Sequence, residues 1–229
     1  MKDAMVLKGV FRGNVAQRYG FQTAIDKVSV EESLYLSWEG LEGDVCADRR
    51  HHGGKERALH QYPLEHYAYW QQKYGADHDW RAPGMGENLS TEGMLEEAVC
   101  LGDRYRWGEA IIEVSQPRSP CFKLSQRWGI DRFSVEMQGL SRCGWLYRVI
   151  QPGRVSVQDA LVLDERESNA LSIQQVCEYF FGDPLSKEGL HRLKQQTKLS
   201  DSWMIKVVHR LETQTVENWT FRLLGLGES

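Results

Sequence analysis

The chain has 229 residues, 41% of them hydrophobic and 26% charged, enough for one substantial domain and a small second one. Its net charge of −4 supplies no global basic field for nucleic acid, although local basic pockets stay open. No apolar run approaches the roughly 18 residues that span a bilayer, and the first fourteen residues lack the apolar core of a signal peptide. We therefore expect a soluble, cytoplasmic protein that binds neither a nucleic acid polymer nor a membrane. The five cysteines, at 46, 100, 121, 143 and 177, are scattered and form no CxxC pair, which fits reduced thiols better than a disulfide framework or a cysteine-rich zinc site.

Short β-branched and apolar runs predict strands over 5–13 and 21–30, and a third over 34–38. A turn at 39–44 leads into a polar loop holding Arg49, Arg50, His51, His52, Gly53 and Gly54. Pro63 opens a helical pattern that runs to Tyr74. Residues 81–93 are glycine-rich and read as a long irregular loop. A hairpin is expected over 102–115, two short helical pieces after Cys121, and closing strands at 145–150 and 160–163. Beyond about residue 168 helical spacing takes over, at 172–180, 187–196, 200–210 and 216–225. The predicted organisation is a mostly β domain over 1–167 and a small all-α domain over 168–229.

The most informative residue is Cys121, in Val114-Ser115-Gln116-Pro117-Arg118-Ser119-Pro120-Cys121-Phe122-Lys123-Leu124. Prolines fix φ and stiffen the backbone, and cationic neighbours favour a thiolate. Such a thiol suits a soft-metal ligand, a nucleophile or a redox group. The plainer alternative is a buried structural thiol, the usual state of free cysteine. Arg118 and Lys123 can also pair with an anionic cofactor.

Three further groups carry chemistry. Around His52-Gly53-Gly54-Lys55-Glu56-Arg57, paired glycines expose backbone N–H groups and the cations can cradle a phosphate, though the P-loop spacing is absent and a surface turn is the competing reading. The histidines at 52, 60 and 66 match no standard zinc spacing. Glu87 and Asn88 offer acceptors and donors for the edge of a cofactor, or a capped turn. Trp107 and Trp145 suit a pocket wall or a core, and Asp103 suits a hairpin or capping residue better than an acid catalyst. Neither a Rossmann fingerprint nor a G-x-S-x-G nucleophile elbow occurs.

Taken in order, Leu41-Glu42-Gly43-Asp44, His52-Gly53-Gly54, Ala58-Leu59-His60, Gly86-Glu87-Asn88-Leu89, Gly102-Asp103 and the segment 115–124 resemble the MOSC superfamily, named for the C-terminal domain of molybdenum cofactor sulfurases. The nearest likeness is to its bacterial YiiM-type members, which add a C-terminal three-helix extension, and it covers nearly the whole chain. The resemblance implies a β-barrel with helical inserts. It also implies a molybdenum cofactor (molybdopterin), with Cys121 as both metal ligand and catalytic residue.

The activity implied is reduction of N-hydroxylated bases such as 6-hydroxylaminopurine. Electrons would come from a separate flavoprotein, with pyridine nucleotide acting only indirectly and no flavin, haem or FeS group in this chain. His52, Gly53, Gly54, Lys55, Arg57 and Arg118 are the expected phosphate contacts, and Glu87 and Asn88 the expected pterin-edge contacts. Storage or delivery of the cofactor, or of sulfur on Cys121, is the rival activity. The helical tail can cover the barrel, dock the electron donor or form a homodimer contact, with Trp203 and Trp219 as anchors.

Overall fold

The apolar run Leu7–Arg12 at the start of the chain becomes a strand covered along most of its length, with only Lys8 exposed. The structure, a computed structural model, describes residues 4–48 and 53–225. Its strands are β1 (Ala4–Met5), β2 (Leu7–Arg12), β3 (Ala16–Arg18), β4 (Phe21–Thr23), β5 (Val28–Ser29), β6 (Leu34–Ser37), β7 (Gly40–Leu41), β8 (Leu59–Pro63), β9 (Leu89–Thr91), β10 (Arg104–Trp107), β11 (Ala110–Pro117), β12 (Trp145–Gln151), β13 (Gly153–Val155) and β14 (Leu161–Glu165). The helices are α1 (Glu65–Tyr74), α2 (Phe122–Trp128), α3 (Phe133–Gly139), α4 (Ile173–Cys177), α5 (Lys187–Lys194), α6 (Asp201–Thr213) and α7 (Thr220–Leu224). A 3₁₀ turn covers Lys55–Arg57, and one π turn, Glu178–Gly182, extends α4.

Nine strands form one sheet in the order β1-β14-β10-β11-β12-β8-β9-β2-β5. Every neighbouring pair is antiparallel except β8 and β9, whose parallel pairing requires the crossover through α1. Hydrogen-bonded pairing closes no barrel among the described residues, so the expected barrel is, in its pairing, an open sheet. It is nevertheless strongly curled. β1 lies at one end of the order and β2 next to the other end, and only Val6 separates them in the chain.

The sequence missed β8, which lies between the polar loop and the helical pattern opened by Pro63, and β9, which falls in the stretch 81–93 read as loop. All five residues of β8 are buried, as are all three of β9. A central strand covered on both faces shows no alternation, and here the polar members are satisfied internally. Gln61 donates to Thr91 Oγ1 at 2.7 Å and accepts from Tyr147 at 2.7 Å.

Two buried clusters fill the interior. One lies inside the curled sheet and runs without a break into the tail, joining Trp107, Trp145 and Tyr147 to Phe180, Leu190, Trp203 and Val207. Trp107 and Trp145 are thus core residues. The tail is helical, as expected, yet its apolar faces belong to the same core as the sheet. The second cluster, Tyr62, Tyr67, Trp70, Trp80, Leu124, Trp128, Phe133, Met137 and others, sits under α1, α2 and α3. Each fully buried side chain of this size contributes roughly 2–3 kcal/mol of hydrophobic stabilisation. This second cluster underlies the helix that begins at Cys121.

Candidate functional site

At the end of β11 the register with β12 shifts between Val114 and Gln116. Ser115 at this irregularity donates to the carbonyls of Glu56 at 2.6 Å and Leu146 at 3.1 Å, while its own carbonyl accepts from Ser200 at the start of α6. The bulge thereby ties the strand end to the 3₁₀ turn and to the tail. Pro117 still pairs with Trp145, Arg118 N–H donates to Gly144 O at 3.0 Å, and three residues later Cys121 becomes the N-cap of α2 in an extended conformation. Its carbonyl accepts from Leu124 N–H at 3.0 Å, and the residue is 7% exposed.

The tail reaches this loop. From α7, Arg222 donates to Pro120 O at 2.6 Å and to Gln138 Oε1 at 2.7 Å. Burial lowers the Arg222 pKa, and nearby Cys143, Cys121 and Glu217 oppose that shift. Neither Arg222 nor Gln138 carries a signal in the sequence. A single arginine in an amphipathic turn looks like a solvated face.

A second layer fixes Arg118. His66 sits between Glu96, 2.8 Å from its Nε2, and Arg142, 2.9 Å from its Nδ1. Arginine can only donate, so Nδ1 accepts and the ring proton lies on Nε2 towards the carboxylate. Glu96 then accepts Gly144 N–H at 2.9 Å, and the carbonyl of Gly144 holds Arg118. Gly144 is at φ +66°, and a Cβ there would stand 2.1 Å from Gln61 O, so only glycine fits. Among the described residues the Arg118 guanidinium has no carboxylate partner, and its Nη1 lies 3.9 Å from Met137 Sδ.

Beside it, His60 Nε2 lies 3.2 Å from Cys143 O. Burial, and then the charge of Arg118, hold the His60 pKa well below its ordinary value, so the ring is neutral near pH 7. Burial likewise pushes the Cys143 thiol up.

Glu87 and Asn88 converge on the same region, but their side-chain atoms are engaged within the protein. Glu87 accepts from Tyr67 OH at 2.5 Å, Met85 N–H at 2.9 Å and Ser90 OH at 3.2 Å. Burial raises its pKa and these bonds only partly offset that. Asn88 Oδ1 accepts from His60 N–H at 3.1 Å. Its Nδ2 donates to Phe11 O at 3.1 Å and Asp44 Oδ2 at 2.8 Å. Asp44 is paired in turn with Lys27 and with Gly13 N–H. The Leu41–Asp44, Ala58–His60 and Gly86–Leu89 motifs therefore meet in one clamp joining β2, β8 and β9. Lys27, which the sequence did not single out, completes it.

The glycine turn precedes β8 and is tied to β11 through Ser115 and the Glu56 carbonyl. Gly54, at φ +104°, has open space around a would-be Cβ and leads into the 3₁₀ turn. Lys55 is exposed. Arg57 is half-buried, donates to Ser202 on α6 at 3.3 Å, and has its pKa lowered by burial against the opposing influence of Cys46 and Glu56. His52 lies outside the described residues. Among the described residues no group of three or more His, Cys, Asp or Glu side chains is arranged to hold a metal. Asp103 is structural, accepting from Arg166, Cys100 N–H and Tyr105.

A groove of about 440 Å³ lies between α2 and α7, lined by Phe122, Ser125, Gln126, Arg132 and Leu223 among others, and Cys121 is not part of its lining. All five cysteines are free, and no helix among the described residues is long and apolar enough to cross a membrane.

Cys121 thus sits at the strand-to-helix junction between β11 and α2, three residues after Arg118 and next to Pro120, whose carbonyl Arg222 holds. The MOSC domain family matches residues 48–162, which include Arg118 and Cys121. Protein YiiM of Escherichia coli K12 is 41% identical over 218 residues, covering 94% of this chain and 97% of that protein. A crystal structure of YiiM from Escherichia coli superposes with a TM-score of 0.85 at 37% identity, covering 97% of this chain and all of that one. A protein named a reductase from Gibberella moniliformis is 36% identical over 181 residues, 77% of this chain but only 31% of that longer protein. The chain belongs to the MOSC domain family.

Proposed function

We propose that this protein is a molybdenum-cofactor-dependent reductase of N-hydroxylated compounds such as 6-hydroxylaminopurine. It would act in the cytoplasm, and a separate flavoprotein would deliver the electrons. The observation that carries the reading is the setting of Cys121, held between β11 and α2, three residues after Arg118 and with Arg222 on the carbonyl of Pro120. A metal already held by two organic sulfurs asks the chain for only one more soft donor, which a thiolate provides. Arg118, free of any carboxylate among the described residues, suits an anionic group. The open space at Gly54 leaves room for a phosphate near Lys55 and Arg57.

The residues present fit the cofactor, with one adjustment. Cys121 would ligate the metal, while Arg118, Gly53, Gly54, Lys55 and Arg57, with His52, would contact the phosphate. Glu87 and Asn88 were expected at the pterin edge, but their polar atoms are engaged in the clamp. We assign them to holding the wall of the site in shape. When bound, the cofactor supplies the two-electron chemistry that breaks the substrate N–O bond. With two protons the products are an amine and water. The chain orients the thiol through Pro120 and the α2 N-terminus, and it keeps His60 neutral beside Arg118, so that the arginine is the cation offered to the ligand.

The test is metal analysis of wild type and Cys121→Ser, both made in cells competent for cofactor synthesis, followed by an assay on 6-hydroxylaminopurine with a chemical reductant. Near-stoichiometric molybdenum and turnover in wild type, both lost in the variant, are expected. Molybdenum without turnover would favour cofactor handling. Normal turnover by Cys121→Ser would end the ligand assignment.

A further inference from the structure

We propose that Arg222, carried by the C-terminal helix α7, is a positioning residue for Cys121. The inference rests on the reading of Cys121 as the functional thiol. One guanidinium bridges two elements: Nη1 donates to the carbonyl of Pro120, the residue before the cysteine, and Nη2 donates to Gln138 on α3. A planar fork that meets two acceptors fixes their separation in a way a point charge does not. Pro120 has no N–H, so its carbonyl is its only backbone hydrogen-bonding group, and Arg222 takes it.

The helix that delivers Arg222 is itself docked on the same loop. Ser134 on α3 donates to Leu223 O at 2.6 Å, and the Phe221 ring lies 6.1 Å from that of Phe122, the residue after Cys121. A Cβ at Gly225 would stand 2.9 Å from the Phe122 ring, so the chain passes the α2 N-terminus at close range. The tail therefore contacts residues on both sides of the cysteine, 120 and 122. The MOSC match ends at residue 162. The positioning of the thiol is thus completed by a segment outside the matched domain.

The experiment is alkylation of cofactor-free protein by iodoacetamide, with each cysteine followed by peptide mass spectrometry, in wild type, Arg222→Ala, Arg222→Lys and Gln138→Ala. Loss of one charge-assisted fork should speed modification of Cys121 by roughly tenfold or more. Cys177, fully buried in the sheet-and-tail core, should stay unreactive. Arg222→Lys should behave more like Arg222→Ala than like wild type, because lysine cannot bridge both acceptors. Gln138→Ala, which cuts one arm, should give a smaller acceleration and serves if Arg222→Ala does not fold. Unchanged Cys121 reactivity in these variants would overturn the proposal, as would Cys121 and Cys177 accelerating together, which signals general loosening. A second readout is molybdenum retained by Arg222→Ala made in cofactor-competent cells, expected to fall. If wild type holds no molybdenum, the cofactor reading fails by itself and the alkylation result stands independently.

Discussion

Glu217 governs how firmly the last helix is held, and its neutralisation gives a sharp test. The carboxylate accepts from Arg210 Nε at 3.0 Å and Nη2 at 2.7 Å, and from Trp219 Nε1 at 3.0 Å. Arg210 is fully buried, donates also to Phe180 O at 2.7 Å, and stacks 3.8 Å from the Phe180 ring centre. Burial alone would raise the Glu217 pKa, but the hydrogen bonds from Arg210 and Trp219 outweigh it and bring the value down to about 2 from an ordinary 4.5. A gap of that size corresponds to about 3 kcal/mol. The carboxylate is a quarter exposed, and solvent screening reduces this to about 1–2 kcal/mol. A depressed carboxyl pKa contributes stability that is fully present above 4.5 and lost as pH falls towards 2. Glu217→Gln should therefore lower the midpoint of thermal unfolding at pH 7 by about 2–8 °C, and by less than half of that at pH 3. Equal losses at the two pH values would refute the electrostatic account.

Three other outcomes follow from the site. Gly144→Ala places a Cβ against the Gln61 carbonyl and should cost about 3 kcal/mol or more, read as a large fall in denaturant midpoint; a neutral effect would mean the β8–β12 junction is looser than described. His60 has a lowered pKa, so the unfolded chain takes up a proton that the native ring refuses. Stability should fall as pH drops below about 6.5, and His60→Gln should flatten that slope; an unaltered slope would assign the effect elsewhere. Arg118→Ala should weaken cofactor retention, measured as molybdenum remaining after dialysis, and unchanged occupancy would remove Arg118 from the binding set.

The sequence revealed elements wherever periodicity was clean. The hairpin expected over 102–115 is β10 and β11, the pattern after Pro63 is α1, and the tail periodicities become α4, α5, α6 and α7. It failed at β8 and β9, where burial on both faces removes alternation and where His60, Gln61, Asn88 and Ser90 look like loop residues until their partners are known. Cys121 stood out because two prolines and two cations surround it. The supports of that loop were invisible for a different reason. Glu96, His66 and Arg142 act through partners far apart in the chain, and Arg222 arrives from about a hundred residues downstream, so no local pattern encodes them. Glu87 and Asn88 were legible as important, but their chemistry is internal bonding, which composition alone does not distinguish from an exposed recognition edge.

The strand interrupted at Val6 bears on the order of folding events. Ala4 and Met5 pair with Val162 and Leu161, whereas Leu7, Gly9 and Val10 pair with Thr91, Ser90 and Leu89. One continuous segment at the start of the described chain thus links the two ends of the sheet order, pairing with residues 161–162 on one side and 89–91 on the other, and both pairings carry a large loop-closure entropy. Chains dominated by such non-local pairings fold slowly. In pulsed hydrogen exchange during refolding, the helices α5 and α6, which are close in the chain and pack on each other, should gain protection well before the amides of β1 and β14. Until those strands meet, the β14 edge stays open to pairing with other chains, so refolding yield should fall as protein concentration rises.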